Sequence, residues 1–246
     1  MIIKVILFLL FIGCILGSIL LIIKHRENVN IPLKIQSDIK SSRPILLTDM
    51  EYKQYDKFPI YKKEGIILLK LPPTLRSSLT NMWLKNRKTR QIEEKNQYVI
   101  TNEGKSPTYM VNIDKNLCKE IENFVLKELI NWLGIKNLIH TATYGIREYS
   151  RNSILNLHVD RPETHVFSAI INVGQIGIDE PWALTVQNRF SSPKDIIFEN
   201  GFDVALYESS TLVHGRPKPL KGEVYANMFI HYSSNDWKKQ IKGIKM

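Results

Sequence analysis

His158 and Asp160, in the run Leu157-His-Val-Asp-Arg161, and His214, in Val213-His-Gly-Arg-Pro217, are the side chains here best suited to chemistry. Two imidazoles and one carboxylate make the donor set of a ferrous facial triad, in which three coordination positions stay open for reactants. On a strand, side chains at i and i+2 share a face, so His158 and Asp160 converge while Val159 points away. The fold must deliver His214 from elsewhere, and the apolar stretch before it lets the chain cross a sheet and return.

Other chemistry-bearing residues read more plainly. The serine- and aspartate-containing stretches offer no nucleophile–base pair, and there is no phosphate-binding loop. His25, His140, His165 and His231 are isolated and read as structural or solvated. His165 stands an odd number of residues from both His158 and Asp160, with Pro162 between, so nothing places it on their face. Arg147 and Arg161 read as braces for strands, and Trp182 as a core or pocket-wall residue.

Several elements must position the three ligands. Gly65–Leu71 has the composition of a strand and is ended by Pro72-Pro73. Leu75, Leu79, Met82 and Trp83 recur at helical spacing and lead into the basic run Lys85–Arg90. Tyr109–Ile113 is a further strand. Asp114 is placed to cap a helix that carries Leu117, Ile121, Phe124, Val125, Leu129 and Trp132 and closes at Gly134. From about residue 141 the pattern turns to short strands: 144–149, 155–160, 165–173, 182–187, 204–207 and 224–232. Helices followed by many short strands indicate an α+β fold whose strands close as a jelly roll.

The chain has 246 residues and a net charge of +10. That length suits one large domain with appendages. The positive charge is spread along the chain without a nucleic-acid motif, which indicates a solvated basic surface and no nucleic-acid partner. Attraction to acidic substrates or an anionic membrane surface is compatible with it. Cys14 and Cys118 are the two cysteines, one in the apolar N-terminus, so no disulfide holds the folded part together.

Val5 to Ile23 is an unbroken apolar or small run bracketed by Lys4 and Lys24. As a helix it would span about 28 Å, close to a bilayer's hydrocarbon thickness. It ends in Lys24-His25-Arg26 without a small-residue cleavage site, which fits a retained single-pass signal-anchor. The surplus of Lys24, Arg26, Lys34 and Lys40 over Lys4 favours the cytosolic side for the domain, while the lumenal orientation stays open. The expected organisation is an anchor over 1–24, a polar stem over 25–62 punctuated by Pro32, Pro44 and Pro59, and a catalytic domain over 63–246.

The order His-x-Asp, some fifty residues, then His, within these strands, resembles the Fe(II)- and 2-oxoglutarate-dependent dioxygenases, in their prolyl 4-hydroxylase-like branch. The resemblance covers roughly residues 65–233. It is densest over Tyr144-Gly-Ile-Arg-Glu-Tyr149, Leu157–Arg161, Thr164–Val173, Glu180-Pro-Trp-Ala-Leu184 and Val213–Pro217. It implies a double-stranded β-helix with flanking helices and a metal held by His158, Asp160 and His214. It also implies 2-oxoglutarate and O2 as cosubstrates, ascorbate as reductant, and hydroxylation of a peptidyl residue, with proline favoured. Tyr149 matches a tyrosine that contacts 2-oxoglutarate in that family, and Asn227 matches a recurrent position on the last core strand.

One position departs from the family pattern. A lysine or arginine is expected nine or ten residues after the distal histidine, and here those positions are Glu223 and Val224. A carboxylate at ~4 Å from the cosubstrate's own would repel it by about 4 kcal/mol at an intermediate dielectric. Lys221 is one substitute, sharing the face of Glu223 about 6.6 Å away on a continuing strand. Arg216, with a fork suited to carboxylates, is a second, unless it only braces its turn; a basic group elsewhere and impaired cosubstrate binding stay open. Glu223 also keeps two rival functions in view: a degenerate roll that binds without catalysing, and, given the anchor, an oxygenase of small molecules or lipids.

Overall fold

The computed structural model describes residues 47–94, 99–100, 106–198 and 204–244. The proposed anchor and the stem up to residue 46 lie outside the described residues. Among the described residues, no helix is long and apolar enough to cross a membrane. The chain runs through α1 (Asp49–Lys57), β1 (Ile66–Leu69), α2 (Pro73–Asn86), a 3-10 turn (Arg87–Thr89), β2 (Gln91–Ile92), β3 (Val99–Ile100), β4 (Tyr109–Val111) and α3 (Lys115–Leu133). It continues through β5 (Leu138–Ser150), β6 (Ile154–His158), β7 (Phe167–Ile178), β8 (Leu184–Gln187), β9 (Lys194–Ile196), β10 (Val204–Tyr207), β11 (Val213–Arg216), β12 (Gly222–Ser234) and α4 (Asn235–Ile241).

Two antiparallel sheets carry the fold. The larger has the order β1-β10-β7-β12-β5-β4-β2, and the smaller β3-β6-β11-β8-β9. This is the expected α+β roll with flanking helices. Its central strands β7 and β12 are largely buried on both faces; one face is aliphatic, whereas the other mixes Ile170 and Tyr225 with the polar Ser168, Asn227 and His231. On β7, Ala169 and Ile171 face the helices while Ile170 faces the opposite sheet. On β12, Ala226, Met228 and Ile230 face the helices. Leu79 and Trp83 of α2, with Ile121, Val125, Leu129 and Leu133 of α3, cover that outer face. Between the sheets, Ile170, Ala205 and Tyr207 meet Leu184, Val186 and Ile196.

Helix ends follow the sequence signals. Asp114 accepts hydrogen bonds from the amides of Asn116 and Leu117, and Gly134 closes α3 at a left-handed φ of 77°. The stem reading differs from the structure beyond residue 47. Thr48 and Glu51 form a reciprocal capping box that starts α1. Tyr55 of α1 is fully buried against Val159 and Val213, on the outer face of the smaller sheet. Phe58 joins the main core. Glu208 then ties the following segment down, accepting from the amides of Tyr61 (2.8 Å) and Lys62 (2.6 Å). The folded unit therefore includes residues the sequence assigns to the stem, because their apolar side chains complete both cores.

Candidate metal centre

His158 closes β6 and His214 sits on β11, and antiparallel pairing sets the two opposite each other. Their ring centroids are 4.3 Å apart. Each imidazole is oriented through its Nδ1, which faces a backbone carbonyl two residues back: Asn156 O at 2.7 Å for His158 and Leu212 O at 2.9 Å for His214. With Nδ1 as donor, each Nε2 presents its lone pair toward Asp160 and the cavity. These two nitrogens lie 3.6 and 3.7 Å from the same Asp160 oxygen, Oδ1. One donor atom from each residue falls within 4.8 Å of the others. Three donors at this mutual spacing can coordinate one ion on a single side.

Asp160 is fixed through its backbone. Its amide donates to Ser209 O (2.8 Å), and its carbonyl accepts from Gln54 Nε2 (2.6 Å), which also donates to Ser210 O (2.7 Å). Its Oδ2 is buried with no hydrogen-bond partner. A buried carboxylate is costly without a compensating charge, and a cation bound by the triad through Oδ1 would offset the negative charge of the group. Burial alone would raise the Asp160 carboxyl, but nearby His214 and a bond from His158 hold it well below the usual carboxylate range. Burial pushes His214 down to about 4. Both therefore present deprotonated donors at neutral pH, as metal ligation requires. The donor set, the tautomers and the buried carboxylate all fit a divalent ion such as Fe(II).

The triad lines a cavity of about 620 Å³ that also receives Glu93, Tyr144, Arg147, Arg161, His165, Phe229 and His231. Two readings need correction here. His165 and His231 are not remote from the centre. The turn from Arg161 to Thr164 folds His165 back toward Asp160, and His231 lies on β12 with its Nδ1 3.9 Å from Asp160 Oδ2. The two rings lie tilted against each other with centroids 3.8 Å apart, Tyr144 Oη lies 3.0 Å from His165 Nε2, and Ser168 Oγ lies 2.7 Å from His231 Nδ1. Arg147 is likewise more than a strand brace, since it lines the cavity. The spacing signal for His231 was its parity with Asn227 along one strand. Gln54 carried no sequence signal beyond the capping box that starts its helix.

The cosubstrate candidates separate clearly. Lys221 lies outside the roll, between β11 and β12, and its ammonium pairs with Glu180 at 3.0 Å in solvent. The assumed continuous strand ends at Arg216, so the shared-face argument for Lys221 fails. Glu223 is also exposed, lying across Gly177 of β7, and does not enter the cavity. Arg216 is 1% exposed. Its guanidinium lies among the rings of Tyr225 (4.5 Å), Trp182 (4.8 Å) and Phe198 (5.7 Å), bonded to Trp182 O and the Tyr225 hydroxyl. Tyr149 is fully buried, edge-on to Trp182, and its hydroxyl accepts from Arg147 Nη1 at 3.3 Å. Asn227 is buried, and its side-chain oxygen accepts from Asn172 at 3.1 Å. Arg216, Tyr149 and Asn227 all lie behind the cavity wall and do not line the cavity itself.

No protein-family model matches the sequence, and no curated protein does either. Solved structures do. A prolyl-4-hydroxylase from Pseudomonas putida is 12% identical with a TM-score of 0.52, covering 70% of this chain and 93% of that one. A prolyl hydroxylase from Trichoplax adhaerens, in complex with a hypoxia inducible factor peptide fragment, is 13% identical at a TM-score of 0.49, covering 72% and 87%. HygX from Streptomyces hygroscopicus, with nickel, 2-oxoglutarate and hygromycin B bound, is 12% identical at 0.48, covering 77% and 88%. At such identities the Pseudomonas match establishes a shared fold.

Proposed function

We propose that this chain is an Fe(II)- and 2-oxoglutarate-dependent oxygenase that hydroxylates a peptidyl residue, with proline favoured, held at a membrane by residues 5–23. The observation that carries the reading is the convergence of His158 Nε2, His214 Nε2 and an Asp160 oxygen on one side of a cavity open for reactants. When bound, the metal and 2-oxoglutarate would supply O2 activation coupled to oxidative decarboxylation to succinate and CO2.

The protein's own contribution is orientation and exclusion of water. His158 and His214 are held by backbone carbonyls, and Tyr207 packs edge-on to His214 at 4.8 Å. Arg216 is the group suited to the distal carboxylate of 2-oxoglutarate. It follows His214 by two residues on the same strand, across a register irregularity, and its guanidinium is buried among the rings of Trp182, Phe198 and Tyr225. It is paired opposite Leu155, which lines the cavity. No carboxylate among the described residues pairs with it, and a buried guanidinium of that kind gains from an anionic ligand. The Tyr225 hydroxyl beside it is a second polar contact for the same carboxylate.

With Glu223 outside the roll, the binding-only reading loses its main support. The preference for a peptidyl proline rests on the sequence resemblance and on the fold shared with the Pseudomonas prolyl-4-hydroxylase. The anchor rests on the apolar run alone. Succinate release from 2-oxoglutarate by the full chain in detergent, with ferrous ion and ascorbate, tests the activity. Wild-type protein should release succinate and His158→Ala should release none. Equal release from both would reject the site.

A further inference from the structure

One charged pair in the cavity has no part in holding the metal. Arg147 Nε and Nη2 donate to the two Glu93 oxygens at 2.7 and 2.5 Å, a fork-to-fork pairing. Each side chain is 13% exposed, and both residues line the cavity shared with the triad. Glu93 thus occupies the Nε/Nη2 edge of a guanidinium whose residue lines the reactant space.

Two observations separate a placeholder from a splint. Arg147 does not need Glu93 to stay aimed at the cavity: its guanidinium also packs over Phe229 at 5.2 Å and Tyr149 at 5.8 Å, and Nη1 bonds the Tyr149 hydroxyl. Glu93, by contrast, follows a two-residue edge strand whose residues Gln91 and Ile92 are both exposed. Beyond Arg147 its carboxylate has one further bond, from Thr108 Oγ1 at 2.9 Å. A short edge strand paired on one side only is the weaker anchor of the two.

We propose that Arg147 is the binding position for a carboxylate of the primary substrate, and that Glu93 occupies it until the acid displaces it. The substrate is thereby an acidic molecule or an acidic stretch of peptide, whose carboxylate docks on Arg147 while another part reaches the metal. This deepens the oxygenase reading and rests on it for the word substrate, but the binding event requires no turnover. An internal carboxylate that holds the fork nine-tenths of the time lowers the apparent affinity of an external one about tenfold.

The test is a calorimetric titration of metal-free, full-length protein in detergent with N-acetylglycine, and with N-acetylglycinamide as the uncharged control. Glu93→Gln should bind N-acetylglycine about tenfold more tightly than wild type, and Arg147→Met should not bind it detectably. Thr108→Val, which loosens Glu93 without touching Arg147, should shift affinity in the same direction by less. The amide should bind none of the four proteins. Unchanged or weaker N-acetylglycine binding in Glu93→Gln would overturn the proposal, since Glu93 would then be orienting Arg147 and not competing for it. A gain seen for 2-oxoglutarate but not for N-acetylglycine would overturn it too, making Arg147 part of the cosubstrate site. Because no iron chemistry is involved, loss of succinate release and failure of this titration are separate results.

Discussion

Gln54 links a helix outside the roll to the metal centre, and its replacement by leucine gives a sharp expectation. The side chain is 4% exposed, and its Nε2 serves the carbonyls of both Asp160 and Ser210. Leucine keeps the volume and removes both donations. Each net hydrogen bond is worth about 0.5–1.5 kcal/mol, and the stranded carbonyls add a desolvation penalty, so stability should fall by about 2–3 kcal/mol. The Asp160 backbone would lose one of its two restraints. Outer partners of metal ligands typically contribute 10–100-fold to affinity, and an effect through the main chain belongs near about tenfold. Urea unfolding would read the first number, and manganese binding followed by electron paramagnetic resonance the second. Lower stability with unchanged manganese affinity would refute the reasoning, showing that α1 only packs against the sheet and does not set the ligand.

Further outcomes follow from other contacts. Arg216→Met should raise the half-saturating 2-oxoglutarate concentration at least about tenfold for a lost charged pair, whereas Lys221→Ala should leave it unchanged in the same succinate assay. A methyl group added at Gly174 would lie 2.2 Å from a Trp83 ring carbon, so Gly174→Ala should cost about 1–3 kcal/mol in urea unfolding and disturb the Trp83–Glu148 bond. Burial pushes Glu208 up from 4.5 to about 7, against two backbone amides that favour its charged form. The folded chain therefore holds this proton more tightly than the unfolded chain. Its stabilising contribution is full below about pH 4.5 and is lost as pH rises through about 7, a loss of at most roughly 3 kcal/mol. Unfolding measured across that range should show the decline, and Glu208→Gln should flatten it.

The metal ligands were legible because their chemistry and the i, i+2 spacing of His158 and Asp160 point the same way, and the roll was legible because many short strand-like runs, separated by turn residues, follow the helices. What failed did so for physical reasons. Lys221 depended on a strand running unbroken past His214, but Pro217 follows Arg216 and the chain turns there. His165 was judged by parity within one strand, whereas a turn returns it to the site. Residues 48–58 looked like stem because they lie among prolines and carry few aliphatic residues. Their burial rests on the aromatic side chains Tyr55 and Phe58, a single i, i+3 pair that is too few positions to register as a helical period. The Thr48–Glu51 capping box was the readable sign of α1. Arg147 and Glu93 are far apart in sequence, and their pairing needed the fold.

An anaerobic titration of ferrous ion into the full-length protein addresses the central claim without waiting for a substrate. The geometry calls for one ion per chain, with binding lost when His158, Asp160 or His214 is separately changed to alanine. Stoichiometric binding that survives in Asp160→Ala and His214→Ala would place the iron elsewhere and contradict the account.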